Sequence, residues 1–343
     1  MLDKWVPKPA SSDSSSLTPA LPEVESKELK EIQKQAEQAI EKARSAKAAS
    51  KFEKFGKLYY NDPVAFAYDC LTDICPTPYQ AEILSMVPVK KRVCVRGPHG
   101  LGKTNLASIL THWYILTRSA AGMDFKLVTT ASAWRQLEKY LWPEIWKTSG
   151  TLDWKKIGRE PYTRHERLLL AIKMRTGSAF AVASDNHQYI EGCHANSLLY
   201  ILDESKAIKT ETWTAVEGAF SGAGADTGNE ALAFSISTPG EPSGPFYEIH
   251  KRKPGYEDWW PRHVKVEEAI QAGRISHEWV EARKRQWGEQ SAAFQNRVMG
   301  EFHSSDLDSV IPLSWVERAM AWEDGMKWVE RVMSPSDELT QGA

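Results

Sequence analysis

Arg92-Val-Cys-Val95, running straight into Arg96-Gly-Pro-His-Gly-Leu-Gly-Lys-Thr104, is the stretch that decides the fold. The short apolar run reads as a buried strand. A glycine-rich loop follows at once, and Asn105 to Thr117 then carries a helical pattern. In that order Gly97-x-x-x-x-Gly102-Lys103-Thr104 reads as a phosphate-binding loop, against the alternative of a Gly-rich turn with a solvated lysine. Gly97, Gly100 and Gly102 let backbone N–H groups curl around a β-phosphate, while the following helix turns its positive end to the same anion. Lys103 neutralises the β- and γ-phosphates, and Thr104 offers a hydroxyl to Mg2+. The expected ligand is ATP with Mg2+, contacted along Gly97, Pro98, His99, Gly100, Leu101, Gly102, Lys103 and Thr104, with His99 mainly filling the loop.

A hundred positions on, Leu198-Leu-Tyr-Ile-Leu202 is a buried-strand pattern that ends in Asp203-Glu204. Asp203 would hold Mg2+, and Glu204 would polarise the attacking water, so the pair adds hydrolysis to binding. A helix-capping acid pair is the alternative. A third apolar run, Ala231 to Ile236, leads into Ser237-Thr238-Pro239-Gly240. Hydroxyls at a strand end beside the loop can hydrogen-bond the γ-phosphate or the lytic water and register its loss; an ordinary Ser-Thr-Pro turn is the other reading. Upstream, Pro76-Thr-Pro-Tyr-Gln80 resembles a base-reading loop, with Tyr79 stacking on adenine and Gln80 hydrogen-bonding its edge.

The 343 residues, 42% hydrophobic and 10% aromatic, suffice for one sizeable core with a short appendage. A net charge of −2 argues against coating nucleic acid by bulk electrostatics and leaves room for a local basic groove. Cys70, Cys75, Cys94 and Cys193 form no Cys-x-x-Cys pair, which points to reduced thiols and a cytoplasmic setting. No run approaches the roughly 20 apolar residues of a bilayer span, so no membrane is expected. Residues 1–22 read as a flexible Ser/Pro-rich arm and 23–60 as an exposed helical extension. Residues 61–302 alternate short apolar runs with amphipathic helices, the pattern of an α/β domain with a central, mostly parallel sheet flanked by helices. Residues 303–343 read as a linker with one helix from the capping box Ser314-Trp-Val-Glu317.

In this order and with these neighbours, the motifs resemble the ATPase domain of the large terminase subunit of tailed phages, a P-loop ATPase. The resemblance rests on Pro78-Tyr-Gln80, the Arg96 to Thr104 loop, Val128-Thr-Thr-Ala-Ser132 before Gln136, and Gly192-Cys-His-Ala195. It continues through Leu202-Asp-Glu-Ser205, Ser237-Thr-Pro-Gly-Glu-Pro-Ser-Gly-Pro-Phe246 and Gly300-Glu-Phe302, and covers about Asp62 to Phe302. The loop and the acidic strand are shared with many ATPases; the Ser-Thr-Pro-Gly segment with Gly-x-Phe after it and the closing Gly-Glu-Phe are more particular.

The resemblance implies an ATP-driven translocase that, as a homo-oligomeric ring at the portal of a prohead in the host cytoplasm, moves double-stranded viral DNA, with a small terminase subunit recognising the genome. By carry-over, Gln80 reads adenine, Lys103 and Thr104 hold phosphate and metal, Asp203 supports Mg2+, Glu204 activates water and Ser237-Thr238 couple hydrolysis to movement. Arg96 stands where many large subunits carry an arginine proposed to sense the γ-phosphate; a strand-end arginine in solvent is the alternative. The family's nuclease domain is not expected here, because Asp306, Asp308, Asp324 and Asp337 lie in polar or helical context, which implies truncation or a separate nuclease polypeptide. A helicase-like nucleic-acid-dependent ATPase and a nucleotide-switched adaptor remain as alternatives. The basic and aromatic run Lys251 to Lys265 reads as a solvated loop over an aromatic cluster rather than as a DNA site.

Overall fold

The computed structural model describes residues 23–224 and 227–303. The flexible arm, the helix at Ser314 and the four C-terminal aspartates therefore lie outside the described residues. Eight strands form one sheet in the order β3-β4-β5-β2-β6-β7-β1-β8. They are β1 (Arg92–Arg96), β2 (Phe125–Ala131), β3 (Arg167–Leu168), β4 (Ala171–Lys173), β5 (Gly177–Ala181), β6 (Ser197–Asp203), β7 (Glu230–Ser237) and β8 (Trp260–His263). From β5 to β8 every neighbouring pair is parallel, while β3, β4 and β5 pair antiparallel. Parallel strands need both faces covered, which is why the apolar runs are continuous. Their alternate residues supply separate cores: Val93, Val95, Leu199, Ile201, Phe234 and Ile236 on one side, Cys94, Leu198, Tyr200, Leu202 and Ala233 on the other.

The helix Lys103–Ala120 is buried along most of its length, including Leu106, Ile109, Leu110, Trp113 and Leu116. Near its end Arg118, fully buried, pairs with Glu230 of β7 at 2.7 Å and stacks on Tyr60, Trp113 and Tyr114. Removing either partner would leave an uncompensated buried charge, so this pair fixes the helix against the sheet. The helix that carries the P-loop lysine is thereby held at its far end.

The N-terminal helix runs Glu23–Tyr59. Sequence reading treats it as exposed and places a boundary at residue 60, but the compact units divide at Ser50/Lys51. The reason is local: Phe55 and Tyr59 are buried, Phe55 contacts Phe66 edge-on, and Trp113 Nε1 donates to the Tyr59 carbonyl at 2.7 Å. Those last turns belong to the main core. In the first unit, the described side chains of the helix are exposed. No helix among the described residues is long and apolar enough to cross a membrane.

Candidate active site at the carboxyl ends of the strands

β1 delivers the chain into the loop, and the loop closes on backbone conformations that glycine alone takes without strain. Gly100 and Gly102 have φ of +87° and +75°, and Gly102 caps the helix Lys103–Ala120. A Cβ at Gly102 would lie 2.8 Å from Gln80 Nε2. The loop floors a cleft of about 610 Å³, whose lining includes His99, Gly100, Leu101, Gly102, Lys103, Thr104 and Glu204. Two motifs a hundred residues apart thus meet in one cavity.

β7 lies between β1 and β6, and this insertion sets the geometry of the acids. Asp203 closes β6, is 1% exposed, and pairs in register with Ile236 of β7. Burial, reinforced by the charge of Glu204 and opposed by Lys103, pushes its carboxyl up to about 6. Its Oδ1 accepts the Glu204 N–H at 3.1 Å, whereas Oδ2 is buried without a hydrogen-bond partner. Such an orphaned carboxylate oxygen suits a hard cation. Mg2+ commonly takes one or two protein oxygens and completes its shell from substrate phosphate and water. Among the described residues no set of three or more His, Cys, Asp or Glu could hold a metal by itself.

Glu204 sits in the left-handed region at φ 46°, ψ 47°, an unfavourable place for a side-chain-bearing residue. The turn directs its carboxylate back to the end of β7, where Oε2 accepts from Ser237 Oγ at 3.0 Å and from Thr238 Oγ1 at 3.5 Å. Lys206 Nζ in turn donates to Thr238 Oγ1 at 3.3 Å. The hydroxyl pair therefore touches the acid directly. Lys103, almost buried, donates to the Pro98 carbonyl at 3.4 Å. Burial holds its ammonium below the ordinary lysine range, while Glu204 and Asp203 pull the other way. An ammonium held by one neutral carbonyl beside two carboxylates is placed to meet an incoming anion.

Tyr79 and Gln80 are not on the cleft wall. Both are buried beneath the loop, where Tyr79 Oη and Gln80 Nε2 each donate to the Leu101 carbonyl at 3.0 Å. Gln80 Oε1 accepts the Thr77 N–H at 3.0 Å, tying down the start of the helix Pro78–Lys90. Arg96 likewise points away from the cleft. Its guanidinium donates to the Gly300 carbonyl at 2.8 Å and to Glu301 Oε2 at 2.5 Å, and lies over the Phe302 ring. It is neither in solvent nor at the cleft, because the Gly300 backbone packs on the loop: a Cβ there would stand 2.7 Å from Gly97 Cα. The closing Gly300-Glu301-Phe302 is thus a clamp on the loop, joined by the His99 N–H donating to the Arg297 carbonyl at 2.9 Å.

Sequence reading missed the opposite wall, where Asp73, Ile74, Cys75, Glu144, Lys147 and Arg274 line the cleft. Glu144 and Lys147 form an i,i+3 pair like any on an amphipathic helix. Arg274 arrives by the turn at Gly273, φ +67°, which ends the helix Val266–Gln271. Of the basic run downstream of β7, Arg262 pairs with Glu82 and Glu268, and Trp259 is buried edge-on to Trp213.

No family model matches the chain. A probable terminase large subunit of Enterobacteria phage P7 is 24% identical over 278 residues, covering 76% of this chain and 52% of that protein. The chain is similar to a phage terminase large subunit. It spans about half the length of that curated relative. Among solved structures, the large terminase of bacteriophage HK97 superposes with a TM-score of 0.52 at 14% identity, over 70% of this chain and 54% of that one. A mutant large-terminase ATPase domain of Thermus phage P74-26 gives 0.49 at 18% identity, over 67% of this chain and 96% of that one. The fold is therefore that of a P-loop NTPase, with a mostly parallel sheet between helices.

Proposed function

We propose that this chain is the ATP-hydrolysing motor of a phage DNA-packaging terminase, using ATP and Mg2+ to move double-stranded DNA into a prohead. One observation carries the reading: Glu204, strained at the end of β6, lines the same cleft as Lys103 and Thr104 and is hydrogen-bonded by the Ser237 hydroxyl from the strand between. With nucleotide phosphates in the loop, Lys103 would leave the Pro98 carbonyl for the β- and γ-oxygens. Bound Mg2+ would neutralise phosphate charge, held by the Thr104 hydroxyl and Asp203. Glu204 would then accept a proton from the attacking water. Because Ser237 and Thr238 donate to the same carboxylate, a change at Glu204 on hydrolysis is felt at once at the end of β7. The similarity to a phage terminase large subunit supports this reading; on it, the chain would act on double-stranded DNA in the host cytoplasm, with a small terminase subunit, the portal of the prohead, further copies of itself in a ring and, if the cutting activity is a separate polypeptide, a nuclease.

The test is phosphate release by the purified chain with Mg2+ or with EDTA, each with and without duplex DNA. The reading requires turnover that depends on Mg2+ and rises with duplex. Turnover indifferent to duplex would remove the motor and leave a plain nucleotidase.

A further inference from the structure

The sheet ends in an antiparallel hairpin, β3 and β4, whose charge differs from that of a chain with a net charge of −2. Arg164, Arg167, Lys173 and Arg175 are all exposed. The single carboxylate of the stretch, Glu166, is already taken by Arg159 at 2.8 Å and by the Thr163 N–H. Among the described residues none of those four cations is in an ion pair. The register sets Arg167 opposite Ile172, and Lys173 N–H donates to the Glu166 carbonyl, which brings Arg164 and Arg175 to the same end of the hairpin. No two of these cations stand directly opposite one another in the register, but unmatched positive charges concentrated on one short hairpin favour an anion laid against it. The row continues inward, since Lys173 pairs in register with Ser178 and Ser178 with Lys126.

A second observation joins this edge to the nucleotide cleft. The helix Trp142–Ser149 gives Glu144 and Lys147 to the cleft wall. From the same helix, Trp146 Nε1 donates to the Leu169 carbonyl at the hairpin tip at 3.3 Å, and the Arg167 guanidinium lies 4.5 Å from the Trp146 ring centre. We propose that this hairpin is the surface by which the chain grips the phosphate backbone of duplex DNA, with Arg164, Lys173 and Arg175 as the contacts and the Trp142–Ser149 helix as the link to the cleft. The proposal rests on the packaging reading and names its DNA-contacting residues. A polyanion is the occupant because the cations are concentrated and unmatched, whereas a protein partner would need acids of its own at each position.

The experiment measures affinity of the full chain for a fluorescent duplex by anisotropy, with ATP and Mg2+, across a salt series. The variants are Arg164→Gln/Lys173→Gln/Arg175→Gln and, as a control removing the same charge elsewhere, Lys251→Gln/Arg252→Gln/Lys253→Gln. Arg167 is left in place because it packs on Trp146. Each phosphate contact contributes about 0.9 to the slope of log K against log salt, so the hairpin variant is expected to lose about 2.7 of that slope. The control keeps its slope, and both keep basal hydrolysis. Unchanged slope and affinity in the hairpin variant, with the wild type binding duplex, overturn the inference and leave the packaging reading standing. No duplex binding by the wild type removes both. A variant that keeps DNA binding but loses self-association in sedimentation assigns the hairpin to a contact between copies and overturns the proposal. If the triple variant does not fold, Lys173→Gln alone decides, with an expected slope loss of about 0.9.

Discussion

On the cleft side of the Arg96–Thr104 loop, Asp203 Oδ2 is buried without a partner, Glu204 is strained and Lys103 leans on a single carbonyl. On the underside of the same loop, Gln80 uses both ends of its amide, Tyr79 braces the same Leu101 carbonyl, and Arg96 grips the Gly300 carbonyl and Glu301. Arg96 Nε and Thr77 Oγ1 are also buried without a partner on the underside, but the donors there are spent on backbone carbonyls of the loop and of Gly300, whereas Lys103 and Glu204 on the cleft side face open space. The difference gives the two sides opposite responses to mutation: cleft-side changes act on nucleotide with little loss of fold, and underside changes act on the fold first.

The largest effect is expected at Lys103→Ala. Removing the partner of a bound phosphate should cost about 2–5 kcal/mol of nucleotide affinity by calorimetric titration, with the thermal midpoint of the free protein nearly unmoved. Unaltered affinity would end the phosphate role of Lys103. Gln80→Ala should do the reverse, destabilising the free protein by about 1–3 kcal/mol because the Thr77 N–H loses its buried partner and the Leu101 carbonyl is left with Tyr79 alone. A denaturant midpoint equal to wild type would show that the underside brace is idle.

Asp203→Asn sharpens the contrast by its sign. A carboxyl whose folded value is raised to about 6 from an ordinary 3.8 binds its proton more tightly when folded. Stability from that group is therefore full below the unfolded value and is lost as pH rises through about 6. The amide variant should melt higher than wild type at pH 8, with the gap closing towards pH 4, while losing Mg2+-dependent turnover. A gap that widens on acidification contradicts the burial argument. The smallest effect is expected at Arg96→Ala, about 1 kcal/mol in a denaturant titration, because its Glu301 partner is half-exposed. A loss as large as that of Gln80→Ala would make the Gly300 clamp the main support of the loop.

The cleft side was legible in the sequence because its signals are local. Strand, glycine loop and helix are contiguous from Arg92, and the apolar run ending in Asp203-Glu204 announces a buried strand by composition alone. What joins them is not local: β7 enters between β1 and β6, so the contact of Ser237 with Glu204 depends on strand order, which no residue pattern encodes. Arg96 and Gly300 are 204 positions apart, so an arginine beside a phosphate loop reads as phosphate-facing until the clamp is seen. Tyr79 and Gln80 read as adenine contacts in the sequence, whereas their place beneath the loop follows from the Gln80 bond to the Thr77 N–H and from Gly102, which has no Cβ to keep Gln80 away. In the N-terminal helix, Phe55 and Tyr59 end an Ala- and Lys-rich pattern that hides their burial.

The most direct test of the account is Glu204→Gln, which keeps the shape of the side chain and its hydrogen bond from Ser237 while removing the base. The account predicts ATP affinity close to wild type and phosphate release slowed by about 10²–10⁴-fold in a single-turnover assay with Mg2+. Turnover at the wild-type rate would contradict it.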